Sequence, residues 1–101
     1  MDPFKPYEPK QRSVPPKLTA VDAEAVALQA VAWIVADDAV RDRFVALTGC
    51  GADELRLRLA QPAFLGAVLD FLLGNEADVI AFAAHAGLAP ETVLLARSLL
   101  P

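Results

Sequence analysis

The sequence predicts an all-α fold: a compact six-helix bundle made of two pseudo-symmetric three-helix repeats, behind a proline-rich N-terminal tail. Three observations carry this. The second half of the chain repeats the first at an ungapped offset of 38 residues, so that Trp33 meets Phe71, Phe44 meets Phe82, Gly49 meets Gly87 and Asp53 meets Glu91. Glycines, prolines and capping residues punctuate the chain at helical intervals. The one stretch that alternates like a strand, Leu55-Arg56-Leu57-Arg58-Leu59, aligns with Val93–Arg97, which follows Pro90-Glu91 and does not alternate. Helix is therefore expected there, since a lone strand has nothing to pair with.

Residues 1–17 hold Pro3, Pro6, Pro9, Pro15 and Pro16 among polar side chains. Such a segment favours extended conformations and buries too little surface to offset its ordering entropy, so it is expected to be a flexible tail. Pro3-Phe4-Lys5-Pro6 has the PxxP spacing of a peptide ligand, a short and common pattern. The helical domain is expected over 18–101, with repeat units about 20–60 and 62–100.

Thr19-Ala20-Val21-Asp22 has the spacing of a capping box, with a carboxylate that suits the positive end of a helix dipole. The first helix is expected from there to Ala36. A break at Asp37 follows from its counterpart Asn75, which comes after Gly74 and is an evident stop and cap. The second helix is expected to end at Thr48 before Gly49, a residue suited to the left-handed cap, and the third to cover 52–60. Pro62 opens a fourth helix to Leu73, Asn75 caps a fifth ending at Ala86 before Gly87, and Pro90 opens a last one ending near Leu100.

Helices 20–36 and 62–73 are apolar nearly all round and are expected at the centre. The core is expected to hold Leu28, Val31, Ile34, Val35, Phe44, Leu47, Leu55, Leu59, Phe64, Leu65, Val68, Leu69, Leu72, Val79, Phe82, Leu88, Val93 and Leu99, with Trp33 and Phe71 as matched aromatics. With Gly51 and Ala89 as N-caps, Cys50 and Leu88 precede them and Leu55 and Val93 lie four residues beyond them, so Cys50 is expected to act as a small buried hydrophobe in a hydrophobic staple.

The composition narrows the chemistry. A single cysteine among 101 residues cannot bridge internally, which suits the cytoplasm. The N-terminus shows no signal peptide. The longest nearly apolar run, residues 25–36, is shorter than the roughly 20 residues a membrane span needs. The formal net charge is −4. Residues 1–17 carry +2, from Lys5, Lys10, Arg12 and Lys17 against Asp2 and Glu8, and the remainder carries −6. An acidic domain repels phosphate backbones, so nucleic acid is a disfavoured partner.

No catalytic, cofactor-binding or metal-ligating residue is singled out, no cofactor is implied, and the chain reads as a non-enzyme. His85 aligns with Leu47 and is expected to be a partly buried imidazole, since one His and one Cys make no zinc site. Ser13 and Ser98 lie in no nucleophile motif. Asp70, alone among apolar neighbours in 62–73, either sits on a solvent strip or needs a partner, with Gln29 or an arginine as candidates. Arg41, Arg43, Arg56 and Arg58 read as a solvated face, with Asp38–Arg41 and Glu54–Arg58 as ordinary surface pairs. The run Ala83-Ala84-His85-Ala86-Gly87-Leu88-Ala89-Pro90-Glu91-Thr92-Val93 looks like a helix-turn-helix. Its second helix shows Glu91 and Leu94 where a DNA reader needs polar or basic groups, and Arg97 is its only cation.

Phe44–Gly49, Asp53–Arg56, Pro62–Leu65 with Val68–Leu72, and Phe82 through Leu88 with Pro90-Glu91 together resemble a family of short helical alphaproteobacterial proteins known only as a domain of unknown function. The likeness spans about residues 18–100. It implies the helical fold and a bacterial cytosol, and it brings no activity, ligand or functional residue with it. Two partner classes follow from the residues. The first is an unidentified protein or a second copy of the chain, met by surplus apolar residues such as Leu94, Leu95 and Leu100. The alternative is DNA, met by the helix-turn-helix. A third role, as a small-ligand binder or an enzyme subunit, would use Asp70 and Gln29.

Overall fold

The computed structural model describes residues 18–101, and the proline-rich segment 1–17 lies outside them, Ser13 included. Six helices follow one another: α1 Ala20–Ala36, α2 Asp38–Thr48, α3 Ala52–Arg58, α4 Pro62–Leu73, α5 Glu76–Ala86 and α6 Pro90–Ser98. Among the described residues there is no strand. Helix α3 ends at Arg58 rather than residue 60, and α6 at Ser98 rather than near Leu100, because each closes in a tight turn at a residue that is still α-like, Leu59 or Leu99.

The punctuation acts as its chemistry demands. Thr19 Oγ1 accepts from the Asp22 N–H at 3.1 Å while the Asp22 carboxylate accepts from the Thr19 N–H at 3.0 Å, a complete capping box. Asp37 closes α1 and opens α2, accepting from the Val40 N–H at 3.1 Å. Asn75 does the same for Asp78 at 3.2 Å. Gly49 and Gly87 end α2 and α5 at φ 70° and 71°, where a Cβ would meet the following carbonyl. Residues 55–58 are helical.

Helix α1 packs on α2, α4, α5 and α6, and α4 packs on α1, α5 and α6. The fully buried large side chains are Phe82, Ile34, Leu69, Leu72, Val68 and Val93. Trp33 meets Phe82 edge to face at 6.1 Å, and Phe44 meets Phe71 at 5.1 Å and Phe64 at 6.4 Å. At the 38-residue offset α2 coincides with α5, whereas α1 starts four residues earlier than α4 does and α3 ends two residues sooner than α6. Packing is less even: α6 lies on α1, α4 and α5, whereas α3 rests on none of the others to a comparable extent.

Several expected core residues lie elsewhere. Leu28, Val35, Leu47 and Leu99 are exposed. Leu28 sits on the face of α1 opposite its buried residues, and Val35, near the end of α1, borders an open cavity shared with Phe44, Cys50 and Leu55. Leu47 stands in the last turn of α2, and Leu99 follows the end of α6. Trp33, Leu55, Leu59, Phe71, Val79 and Leu88 are half-buried against the core. In their place small residues fill the centre: Ala23, Ala27, Ala30, Ala83 and Ala96 are buried, as are Val26, Val40 and Leu100. Helix α1 packs on α4 and α6 with Ala23, Ala27 and Ala30 fully buried, and short side chains of this kind let backbones come together. Gly66 of α4 shows the limiting case, where a Cβ would lie 2.7 Å from the Pro101 carbonyl oxygen.

Candidate functional site

Three concavities mark the surface. The first is a groove of about 290 Å³ between α1 and α5, lined by Gln29, Ala32, Trp33, Ala36, Phe82, His85 and Ala86. Helical spacing builds it. Gln29, Trp33 and Ala36 stack along one edge of α1, and Phe82, His85 and Ala86 along one edge of α5. Aromatic rings floor it, with the carboxamide and the imidazole as its polar groups. His85 is exposed rather than partly buried, as is Leu47, the residue it aligns with. The groove can hold an apolar group beside a hydrogen-bonding one. Its lining offers neither a nucleophile nor a carboxylate for acid–base work.

The second concavity, about 410 Å³, is lined by Arg43, Leu47, Thr48, Ala67, Asp70, Phe71, Gly74 and Asn75. Its ionic groups are already engaged. Arg43 donates from Nη1 to Asp78 Oδ2 at 2.7 Å and from Nη2 to Oδ1 at 3.1 Å, with its guanidinium 5.2 Å from the Phe71 ring centre. The hydrogen bond to Asp78 raises the Arg43 guanidinium above its ordinary value, against a smaller desolvation penalty. Arg97 Nε donates to Asp70 Oδ1 at 2.6 Å, and its Nη1 reaches the Leu100 and Pro101 carbonyls at 3.0 and 3.2 Å. Asp70 raises the Arg97 guanidinium likewise. Asp70 is thus exposed and paired to an arginine. Gln29 lines the other groove, so the structure does not bring these two residues together.

The third concavity, about 260 Å³, lies between α2 and α3 and contains Cys50, Arg41, Phe44 and Leu55. Cys50 is buried, lining the same cavity as Leu55, as a staple requires. Its N–H donates to Thr48 Oγ1 at 3.1 Å, and that hydroxyl donates to the Phe44 carbonyl at 2.7 Å.

Arg43 departs from the solvated face expected for it. Asp78 is the buried charged residue among those described, and it occupies the register position of Val40, which is also buried. A carboxylate aligned with a core valine was the available signal that a cation would have to come inward. Arg41 pairs with Asp38 at 3.1 Å and Arg58 with Glu54 at 3.6 Å, both at the surface. Ser98 Oγ donates to the Leu95 carbonyl at 2.6 Å. Leu94 and Leu95 are exposed, whereas Leu100 is buried and leaves the expected contact patch.

Among the described residues no three His, Cys, Asp or Glu side chains gather as a metal site would require. No single helix there is long and apolar enough to cross a membrane, and α5 and α6 reach that length only as a pair bent by 101°. Searches against curated proteins and against solved structures return no match. A sequence profile described as "Protein of unknown function (DUF3572)" matches residues 20–101. The helical domain matches that profile from the first turn of α1 to the last residue, and the chain belongs to the DUF3572 family.

Proposed function

We propose that this chain is a non-enzymatic protein-interaction module. The observation that carries the reading is apolar surface left on the outside of a bundle in which Arg41, Arg43, Arg58 and Arg97 are already paired with carboxylates. On α6, Leu94 and Leu95 stand exposed side by side, with Glu91 and Ser98 above and below them on the same face. Leucines in that setting cost free energy in water and gain it against an apolar partner surface. The reading includes a cytoplasmic location, supported by one buried thiol as the chain's sole cysteine. It also includes duplication of a three-helix unit, supported by the coincident boundaries of α2 and α5.

Affinity capture with the intact chain and with Leu94→Glu tests it. The expected result is a protein held by the wild type and released by the variant, with the variant's circular dichroism unchanged. Capture of nothing that depends on Leu94 overturns the reading.

A second reading, a helix-turn-helix-like DNA-binding protein, is supported by the 101° bend between α5 and α6 about Gly87, inside the roughly 90–120° of that motif. Against it, the one cation of α6, Arg97, is turned to Asp70 and the C-terminal carbonyls. A mobility-shift assay at low salt decides, and absence of any shift ends this reading.

A further inference from the structure

Helix α1 is apolar on both sides, yet only one side is covered. Ala23, Val26, Ala27, Ala30, Val31 and Ile34 are buried. Val21, Ala25, Leu28, Ala32 and Val35 form the opposite face, and all five are exposed; Val21, Leu28 and Val35 are 72%, 44% and 39% accessible. Their spacing alternates between four and three residues, the 3.5-residue repeat of a helix-pairing seam. None of the five is charged, and half-buried Glu24 flanks them between Val21 and Leu28.

We propose that this seam pairs with the same seam of a second copy of the chain, antiparallel, about a two-fold axis. The order of sizes selects the occupant. One row of the seam is large (Val21, Leu28, Val35) and the other is alanine (Ala25, Ala32). Antiparallel pairing lays the large row of each copy on the small row of the other. Leu28 then faces Ala25 of the second copy, and Val21 faces Ala32, which is the interdigitation that fills space without voids. Parallel pairing would stack leucine on leucine and alanine on alanine. Each contact occurs twice with the roles exchanged, as a closed two-fold interface requires.

Charge selects the register. In this alignment Asp22 comes level with Val31 of the second copy and Glu24 level with Gln29, so no two carboxylates of α1 meet. Sliding one copy by a heptad toward the end of α1 would set Asp22 against Asp37 and Asp38 instead, where like charges repel. A single helix of 17 residues is about 25 Å long, so the buried area falls at the low end for specific complexes and the dimer is concentration-dependent.

The inference is a particular case of the protein-interaction reading, but it uses α1 rather than α6, so Leu94→Glu leaves it intact. Sedimentation velocity of the full chain from micromolar to millimolar concentration is expected to show a monomer–dimer equilibrium. Leu28→Glu is expected to weaken it by at least about a hundredfold, or about 2.8 kcal/mol, with the thermal melt of the monomer unchanged. For orientation, oxidising a mixture of Val21→Cys and Ala32→Cys chains is expected to give the mixed disulfide above either homodimer. A chain that stays monomeric, a dimer indifferent to Leu28→Glu, or homodimeric cross-links in excess each overturns the proposal.

Discussion

Trp33 of α1 packs edge to face on Phe82 of α5 at 6.1 Å, and the contact has a counterpart 38 residues away with the halves exchanged. Phe71 stands where Trp33 does, Phe44 where Phe82 does, and those two rings meet edge to face at 5.1 Å. The first helix of each half thus lays its aromatic ring on the second helix of the other half. T-shaped pairs of this kind add to the apolar area they bury, and both tie the two halves together rather than stabilising either alone.

These rings set the first expectation. Phe82→Ala and Phe44→Ala each remove a buried aromatic and are expected to cost about 3–5 kcal/mol, a large share of the roughly 5–15 kcal/mol that holds a small domain. Chemical denaturation measures it. A Phe82→Ala midpoint equal to wild type would contradict the core assignment.

The Arg43–Asp78 pair is expected to couple more strongly than Glu54–Arg58. It is bidentate, and Asp78 is nearly covered, whereas the other pair is monodentate at 3.6 Å and half exposed on both sides. Removing the Arg43 guanidinium alone leaves a carboxylate among apolar neighbours, which is costlier than replacing both partners. A double-mutant cycle with Arg43→Met and Asp78→Leu reads this as non-additivity, and the double variant is expected to melt above the Arg43→Met single variant.

Among the glycines, sensitivity follows φ. Gly49→Ala and Gly87→Ala force a side chain into the left-handed region and are expected to lose about 1–2 kcal/mol each. Gly74→Ala is expected to be neutral or to gain about 0.4–1 kcal/mol by restricting the unfolded chain, since Gly74 has an ordinary helical φ of −75° and a Cβ there meets nothing closer than 3.5 Å. Comparing the three melting temperatures checks the order.

Acid should act on the start of α1. The hydrogen bond from the Thr19 backbone N–H, followed by that of the Thr19 hydroxyl, holds the Asp22 carboxyl below its ordinary value. A carboxyl lowered in the folded state contributes stability that is complete above its unfolded pKa and is lost as pH falls through the folded value. Carbon-detected NMR titration of Asp22 is expected to show the low midpoint, and Thr19→Ala to move it upward.

How much was legible in the chain follows the range of the forces involved. The starts of all six helices and the ends of four depend on caps, prolines and left-handed glycines acting within a few residues, and the structure agrees with the sequence at each of them. The break at Asp37 was read from Asn75, because a repeated punctuation mark informs its fainter copy. Long-range facts were less legible. Leu28, Val35 and Leu47 have the composition of core residues, but which face of a helix turns inward depends on where five other helices lie. Arg43 has the sequence surroundings of a surface arginine, and only the fold brings Asp78, 35 residues away, beside it.

The sequence by itself determined the six helices, their starts and four of their ends, because backbone hydrogen-bonding needs and glycine and proline geometry are local. Only the tertiary structure decided which apolar faces are spent on the core and which remain outward. Burial is a competition among all helices for a limited interior, and in α1 alanines win the inner face because they admit the closest neighbours. Leu28 is left facing water for the same reason that Ala27 is not.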